Sequence, residues 1–478
     1  MTYLHRDICR TFLHLAVVLM IIGVVIARPR EGCAQAVWEL TPYQFHVYLA
    51  VAETPELPPR VVEEMGKDLI DRVDGTVGAA WNMTVSIPEA SLRQAMLADV
   101  EDLGVESIPK EMLANDKVTL VTIVPGVTGY RVTARELDVR TRVFSAVVAK
   151  DVPQAALLSD ALFTAVIEVF APLASIKASE GDQVELRLRA GRFPARDPSF
   201  LAVLPGAIFR PIIRYDDREG KPKKILPLPW SYFVVEEVDD ARVVCDLYSG
   251  LRSALAGRRR GRVQQLALAV RPPEGSTLLR LHARTGSERP LGGYDVFAQR
   301  PGEKATEWLG RTDLAGAIEI PPAPELLRIL YIRNGGQLLA KLPLVPGLEQ
   351  EVSASVIDDD QRLAAESVIM AAQEELVDLV TRRSVLAARI SAALKGGRVD
   401  EADELLVELY GLRTRDQFTQ RLTQERKKLV SDDPLIQRRV DLMFDKMRKL
   451  IVQYLDPNEV DKIGDEVRAA KDAAAAKS

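Results

Sequence analysis

Residues 43–51 read YQFHVYLAV. Tyr43, Phe45, Val47, Leu49 and Val51 fall on alternate positions, and period two with aromatic and β-branched side chains marks a strand with one buried face. The segments that follow set the fold class. Pro58 and Pro59 open a helix, because Pro is tolerated in a first turn whose N–H has no partner, and Val62, Met65, Leu69 and Val73 give it an apolar stripe. A short strand over 81–87 and a helix over 89–100 come next, then a strand over 116–125 (DKVTLVTIVP). Further strands are expected over 130–138 and 142–148, and an amphipathic helix over 153–173 closes the segment. The order β-α-β-α-β-β-β-α gives a small mixed α/β domain over residues 37–173. Gly126 and Gly129 stand between two strands and read as a hairpin connection, not a phosphate loop.

Beyond it the pattern turns to strands. QVELRLR at 183–189 alternates cleanly, residues 204–210 read as a turn into a strand, and 232–238 with 242–248 form a hairpin tipped by Asp239 and Asp240. With a strand over 263–270, the spacing predicts a small β-barrel or sandwich over 174–274. A second β module is expected over 275–349, with strands at 278–283, 293–298, 306–310, 317–320 and 327–331. The last segment, 357–475, is helical. Asp358, Asp359 and Asp360 precede a long helix over 361–394 and suit its positive N-terminus. Ile369, Ala372, Leu376, Leu379, Leu386 and Ile390 follow a heptad-like spacing interrupted by Arg383, which favours a coiled-coil or bundle helix. Helices over 400–412, 414–430, 434–454 and 457–475 complete a helical bundle. The fold class is therefore multidomain α+β.

The first 36 residues bear on compartment. Arg6 and Arg10 precede an apolar run at 12–27, and Ala34-Gln35-Ala36 supplies the small-residue pattern of a cleavage site. The run is about 16 residues, short of the ~20 that cross a bilayer as a helix. A cleaved signal peptide over 1–36 is expected, with Val37 as the new N-terminus and Ala34 and Ala36 as the cleavage-site residues. A signal anchor retained through residues 12–27 is the alternative, because Arg28, Pro29, Arg30 and Glu31 fit a cleavage region badly. Either way the chain is expected to be exported, periplasmic or otherwise extracytoplasmic.

The 478 residues imply roughly three domains at ~150 residues each. Removing residues 1–36 takes away four basic and two acidic side chains and moves the formal charge from −5 to −7, so binding to nucleic acid is not expected. Cysteines stand at 9, 33 and 245, and only Cys245 would survive cleavage, in the strand-like run ARVVCDLYS. One Cys makes no intrachain disulfide, and a buried apolar role suits it. Of the histidines, His46 and His282 remain, in different modules. The sequence shows neither metal-ligand spacing nor a nucleophile elbow or phosphate loop. No catalytic, cofactor-binding or metal-binding residues are therefore expected. Acidic pairs such as Glu63/Glu64, Glu236/Glu237 and Asp239/Asp240 could serve a glycosidase but read more simply as solvated faces and turns.

Some segments resemble known families. The domain over 37–173, with its DK-led strand at 116, GYRV at 129–132, RELDVRT at 135–141 and closing helix, resembles the small α/β domains of bacterial envelope proteins. Among these are the amino-terminal domain of TolB, the curli secretion protein CsgG and flagellar assembly protein T. The last also carries a small β-barrel after its α/β units, so the resemblance implies an assembly component. Residues 290–296 (PLGGYDV) and 310–321 (GRTDLAGAIEIP) resemble the carboxypeptidase-regulatory type of immunoglobulin-like module, in which the segment at Asp313 and Gly316 makes a turn. Residues 397–406 resemble half of a helical-repeat hairpin. The whole chain resembles a family of uncharacterised exported bacterial proteins, planctomycetal in type, which implies context but no mechanism.

The functional expectation is a non-catalytic envelope protein, a scaffold or assembly factor that tethers a protein partner or self-associates through the helical tail. The basic cluster Arg258, Arg259, Arg260 and Arg262 offers an alternative, contact with anionic lipid head groups or a polysaccharide. A solvated hairpin turn explains the same residues. A carboxylate-based hydrolase is a remoter alternative.

Overall fold

The computed structural model describes residues 37–251, 255, 262–271 and 275–475 of a multidomain α+β chain. The apolar run at 12–27, Ala34, Ala36, Arg258, Arg259 and Arg260 lie outside the described residues. The chain divides into two compact units, one running to Gly275 and taking in Pro343–Leu348, the other comprising Ser276–Leu342 and Glu349–Ser478.

In the first unit, β1 (Tyr43–Val51) pairs in parallel with β2 (Trp81–Ser86) on one side and β3 (Lys117–Gly126) on the other. β4 (Gly129–Asp138) continues the sheet antiparallel to β3, and β5 (Val143–Phe144) and β6 (Val148–Val152) both pair with β4. Alternation along β1 assigns its faces. Phe45, Val47 and Leu49 pack with α1 (Pro59–Thr76) and α3 (Leu158–Val169), while Tyr48 and Ala50 pack with α2 (Ala90–Ala98). The closing helix stops at Val169 rather than reaching residue 173. Pro172 lacks an N–H, clashes with the preceding turn, and drives Ala171 out of the helical region.

Leu173 instead begins a barrel. Its strands are β7 (Leu173–Glu180), β8 (Gln183–Leu188), β9 (Ile208–Asp216), β10 (Pro222–Pro227), β11 (Ser231–Asp239), β12 (Arg242–Ser249) and β13 (Val263–Val270). Six of them run in the ring β9-β11-β12-β8-β7-β13, which the pairing of β13 with β9 closes; β10 hangs from β9. Of the barrel and sandwich expected from sequence, the closed barrel is the one formed. Inward residues such as Val184, Leu186, Phe233 and Cys245 fill it. Asp240, at φ 48°, turns the β11–β12 hairpin.

The α/β sheet and the barrel share one core, since Ile212, Leu266 and Leu268 pack in the same cluster as Phe45, Trp81 and Phe170. At the crossover between them lies a buried ionic group. Lys117 is 0% exposed and its Nζ stands 2.9 Å from Glu136 Oε1 and 3.0 Å from Asp138 Oδ2. It also donates to Ala171 O, while Ala171 N donates to Glu136 at 3.1 Å and Leu173 N to Tyr43 Oη at 3.0 Å. Burial alone would push the Lys117 ammonium down. The carboxylates of Asp138 and Glu136 outweigh it and hold the group well above its ordinary value, so it stays charged.

The second unit starts with two small sheets. β14 (Thr277–Ala283), β17 (Ala317–Ile320) and β20 (Glu351–Val356) form one, in the order β17-β14-β20. β15 (Asp295–Gln299), β16 (Thr306–Arg311), β18 (Arg328–Asn334) and β19 (Gln337–Leu344) form the other, in the order β16-β15-β18-β19. At the expected turn, Asp313 Oδ1 accepts from the backbone N of Ala315 and Ala317 at 2.9 and 2.8 Å. Gly316 has φ 71°, and a Cβ there would lie 2.3 Å from Leu281 O, so the position requires glycine.

Five helices follow: α4 (Asp360–Lys395), α5 (Val399–Gly411), α6 (Arg415–Lys428), α7 (Pro434–Tyr454) and α8 (Pro457–Ala475). α4 has 36 residues and spans ~54 Å at 1.5 Å per residue. Its first half packs Ala365, Leu376 and Leu379 with α6 and α7; its second half packs Leu386, Ile390 and Ala393 with α5 and α8. The interruption at Arg383 falls between these two cores, where its Nη2 donates to Arg413 O at 2.7 Å. The acidic run before α4 is held by side chains rather than left for the helix end. Arg362 pairs with Asp359, Arg289 with Asp358 and Asp360, and Tyr294 Oη accepts from Asp359 N at 3.0 Å.

Replacing Lys117 by Met leaves two buried carboxylates without their cation, a class of change that costs about 3–5 kcal/mol. Urea unfolding of K117M is expected to show a loss of that size; a loss below about 1 kcal/mol would mean that the ionic group does not hold the crossover.

Candidate functional site

The helical tail presents apolar residues on two sides of α4. Leu376, Leu379, Leu386 and Ile390 turn inward, whereas Met370, Val377 and Val385 are 63%, 63% and 53% exposed. Spacings of seven and eight residues correspond to about two helical turns, so these three share a face. Single exposed apolar residues are ordinary on a surface, but three aligned along one long helix make a strip suited to contact. The alternative use of such a strip is simple solvent exposure in an accessory bundle.

Of the basic cluster, Arg262 is the described member. It is exposed, and its carbonyl accepts from Asp216 N at 3.0 Å just before β13 begins. Lys223 and Lys224, also exposed, stand on β10, with β9 between that strand and β13. These three cations come to one side of the barrel from distant sequence positions. Lys223 and Lys224 were not among the residues singled out from sequence, because a pair of lysines beside Pro222 reads as an ordinary solvated turn.

The titratable candidates fall in separate places. Cys245 points into the barrel core, where burial, with Asp246 and Glu236 nearby, pushes its thiol up to about 12. It is therefore a protonated core residue rather than a nucleophile at neutral pH. Glu63 and Glu64 are exposed on α1, and Glu64 pairs with Arg60. A bulge in the β11–β12 pairing leaves both Glu236 and Glu237 exposed, and Asp239 and Asp240 are exposed at the hairpin tip. No group of three or more His, Cys, Asp or Glu among the described residues could hold a metal ion.

His46 has partners that a single strand could not reveal. Parallel pairing sets His46 opposite Thr84 and Tyr48 opposite Ser86. The imidazole Nδ1 lies 2.8 Å from Thr84 Oγ1 and Nε2 lies 2.9 Å from Ser86 Oγ, while Thr84 Oγ1 donates to Phe45 O at 3.5 Å. That chain of donors fits an Nδ1–H tautomer, with Nε2 accepting from the Ser86 hydroxyl. A serine and a histidine in hydrogen-bond reach are two parts of a nucleophilic site, but the third partner here is a hydroxyl, not a carboxylate. Between sheet and α2, the arrangement satisfies a buried polar ring.

A cavity of about 470 Å³ opens in the first unit between the α/β sheet and the barrel. Tyr43, Trp81 and Phe170 line it together with Phe193 and Phe200 from the connection between β8 and β9, and Arg189 and Asp240 contribute charged side chains. Trp81 packs on Phe170 with centroids 4.4 Å apart and meets Phe200 edge-on at 6.2 Å. Sequence reading did not find this cavity, because its lining comes from five separate stretches.

Burial pushes the His46 imidazole down from its ordinary value, whereas the unfolded chain takes up that proton near pH ~6.5. The stability this group provides is therefore complete above that pH and is lost as pH falls through the depressed folded value. Urea unfolding at pH 7.5 and 5.5 is expected to show a smaller acid loss for H46Q than for the unaltered chain. Equal losses would remove His46 as a contributor.

No protein-family model matches the sequence, and no curated protein matches it. Among solved structures the chain has a likeness to TolB from Acinetobacter baumannii, with 12% identity and TM-score 0.16, covering 67% of this chain and 96% of that one. A second is the Bacillus anthracis TIE protein, with 12% identity, TM-score 0.14 and coverage of 44% and 46%. A third is BcpA, the major pilin subunit of Bacillus cereus, with 8% identity, TM-score 0.11 and coverage of 51% and 71%. Scores of this size carry no inference about fold or activity. No helix among the described residues is long and apolar enough to cross a membrane.

Proposed function

We propose that the protein is an exported, non-catalytic component of the cell envelope that tethers or organises another protein through its helical tail. The observation that supports this most is the strip of Met370, Val377 and Val385 on the outer face of α4. One helix there serves two cores and still keeps an apolar face in water. The apolar run at 12–27 with Ala34 and Ala36 supports export. The β modules act in this reading as rigid spacers.

A second reading, contact with an anionic lipid or glycan, is favoured by one observation: exposed Lys223, Lys224 and Arg262 gather on one side of the barrel, next to the sequence that carries Arg258, Arg259 and Arg260. Such a surface would attract polyanions and lose them with added salt.

The two readings separate by mutation. M370D/V377D/V385D changes only exposed positions, so its melting temperature should stay within a few degrees of the parent's. Its protein partner, copurified from envelope extracts, should be lost. The variant R258E/R259E/R260E should keep that partner. Loss of vesicle or glycan binding in the arginine variant, with partner capture unchanged in both, would favour the second reading instead. Sedimentation of the purified chain distinguishes self-association from capture of a different protein. Mass spectrometry of the native protein is expected to place its N-terminus at Val37, whereas recovery of a peptide from residues 12–27 would show a retained anchor.

A further inference from the structure

We propose that the strip along α4 packs against the same strip of a second copy of this chain, the two helices running antiparallel and centred on Thr381. The inference rests on the reading of that strip as the contact surface and names its occupant.

At about 3.6 residues per turn, Met370, Val377, Thr381, Val385 and Ala388 come round to one side of α4. Leu376, Leu379, Leu386 and Ile390 come round to the opposite side, where the two bundle cores lie. All five outer residues are exposed. They follow one another at steps of seven, four, four and three residues, the spacing by which one helix meets another.

The charges beside this strip are divided along its length. Glu374 and Asp378 stand before Thr381, and Arg382 and Arg389 stand after it. All four are exposed, and none has an ion-pair partner among the described residues. Elsewhere on α4 the long charged side chains are engaged. Arg362 holds Asp359 and Glu366, Glu375 holds Arg413 and Arg421, and Arg383 donates to Arg413 O. Four that face away from the bundle stay unpaired.

A two-fold axis at Thr381 turns this division into complementarity. Residues equally far from Thr381, one before it and one after, then lie level across the contact. Val377 meets Val385 of the second copy, and the symmetry repeats the pair at the other end. Asp378 comes within a turn of Arg382 of the second copy, and Glu374 comes beside Arg389 of the second copy. Asp378, Arg382 and Arg389 lie on one flank of the strip, and this axis brings each flank beside its own copy. A parallel pair would instead set Glu374 and Asp378 beside themselves and Arg382 and Arg389 beside themselves, where like charges repel. Apolar and charged positions thus match themselves under one operation, a property that a second copy requires and a different partner does not.

Sedimentation velocity of the purified protein over a dilution series, together with crosslinking of cysteine variants, tests the proposal. A monomer–dimer equilibrium is expected. V377D/V385D should raise its dissociation constant about a hundredfold, since the contact would then bury unpaired carboxylates. Both positions are exposed, so the melting temperature should stay that of the parent. E374K/D378K and R382E/R389E should each self-associate less than the parent and, when mixed, pair with each other at least about tenfold more tightly than either pairs with itself. Val377 and Val385 lie about 12 Å apart along one helix, too far for a bond within a chain. Oxidation of V377C mixed with V385C should therefore link two chains, and either variant alone should link far less. A parent that stays monomeric up to about 100 μM, a dimer unaffected by V377D/V385D, or V377C linking to itself in preference to V385C would each overturn the proposal. If the parent is monomeric and M370D/V377D/V385D still loses an envelope partner, the tethering reading stands and this inference falls.

Discussion

One buried ammonium group governs the first unit. Lys117 cannot be removed from water without partners, and it finds Glu136 and Asp138 on the neighbouring strand and Ala171 on the chain leaving the sheet. Burial of an ion in this way is weak evidence for added stability, since an apolar replacement of the whole group often does as well. What it supplies is geometry. The backbone at Ala171 is gripped through its carbonyl by Lys117 and through its N–H by Glu136, so the chain can leave the sheet for the barrel in one direction. Tyr43 fixes the next residue pair by bonding Leu173. Around this point the rings of Tyr43, Trp81 and Phe170 form both the shared core and the floor of the cavity.

Periodicity disclosed the elements wherever one face is buried and the other wet. YQFHVYLAV, QVELRLR and the apolar seam of α4 carry that contrast, and each formed as expected. It failed where the contrast is absent. β10 (PKKILP) is a short polar strand hung from β9, and β19 (QLLAKLPL) lacks alternation and contains Pro343, which a sheet tolerates at its edge. The pattern assigns no strand to β7, since LASIKASE lacks clean alternation and only its Leu173 falls in the expected helix, yet its neighbours β8 and β13 hold it extended.

The candidate sites were less legible, and for a different reason. Thr84 and Ser86 meet His46 only because β2 docks beside β1, and no local pattern encodes that register. Phe193 and Phe200 sit among Pro194, Pro198, Arg192 and Arg196, which read as an irregular loop, and their burial depends on α1 and the barrel lying beneath. Lys117 heads an apolar strand, a place where a lysine ordinarily reaches into solvent. The exposed strip on α4 could be drawn only once its opposite face was known to be occupied.

Barrel closure also orders events in time. The core of the first unit contains Leu266 and Leu268 from its final barrel strand beside Tyr43 and Phe45 from its first strand. Their separation of more than two hundred residues makes this a high-contact-order assembly, slow to nucleate because the intervening chain must be confined before those contacts form. A chain emerging N-terminus first holds the aromatic face of β1 unfinished until β13 arrives. Over that interval it has open strand edges of the kind that recruit other chains, so the time needed to close the barrel is also the time in which the unfinished first unit is most open to misassembly.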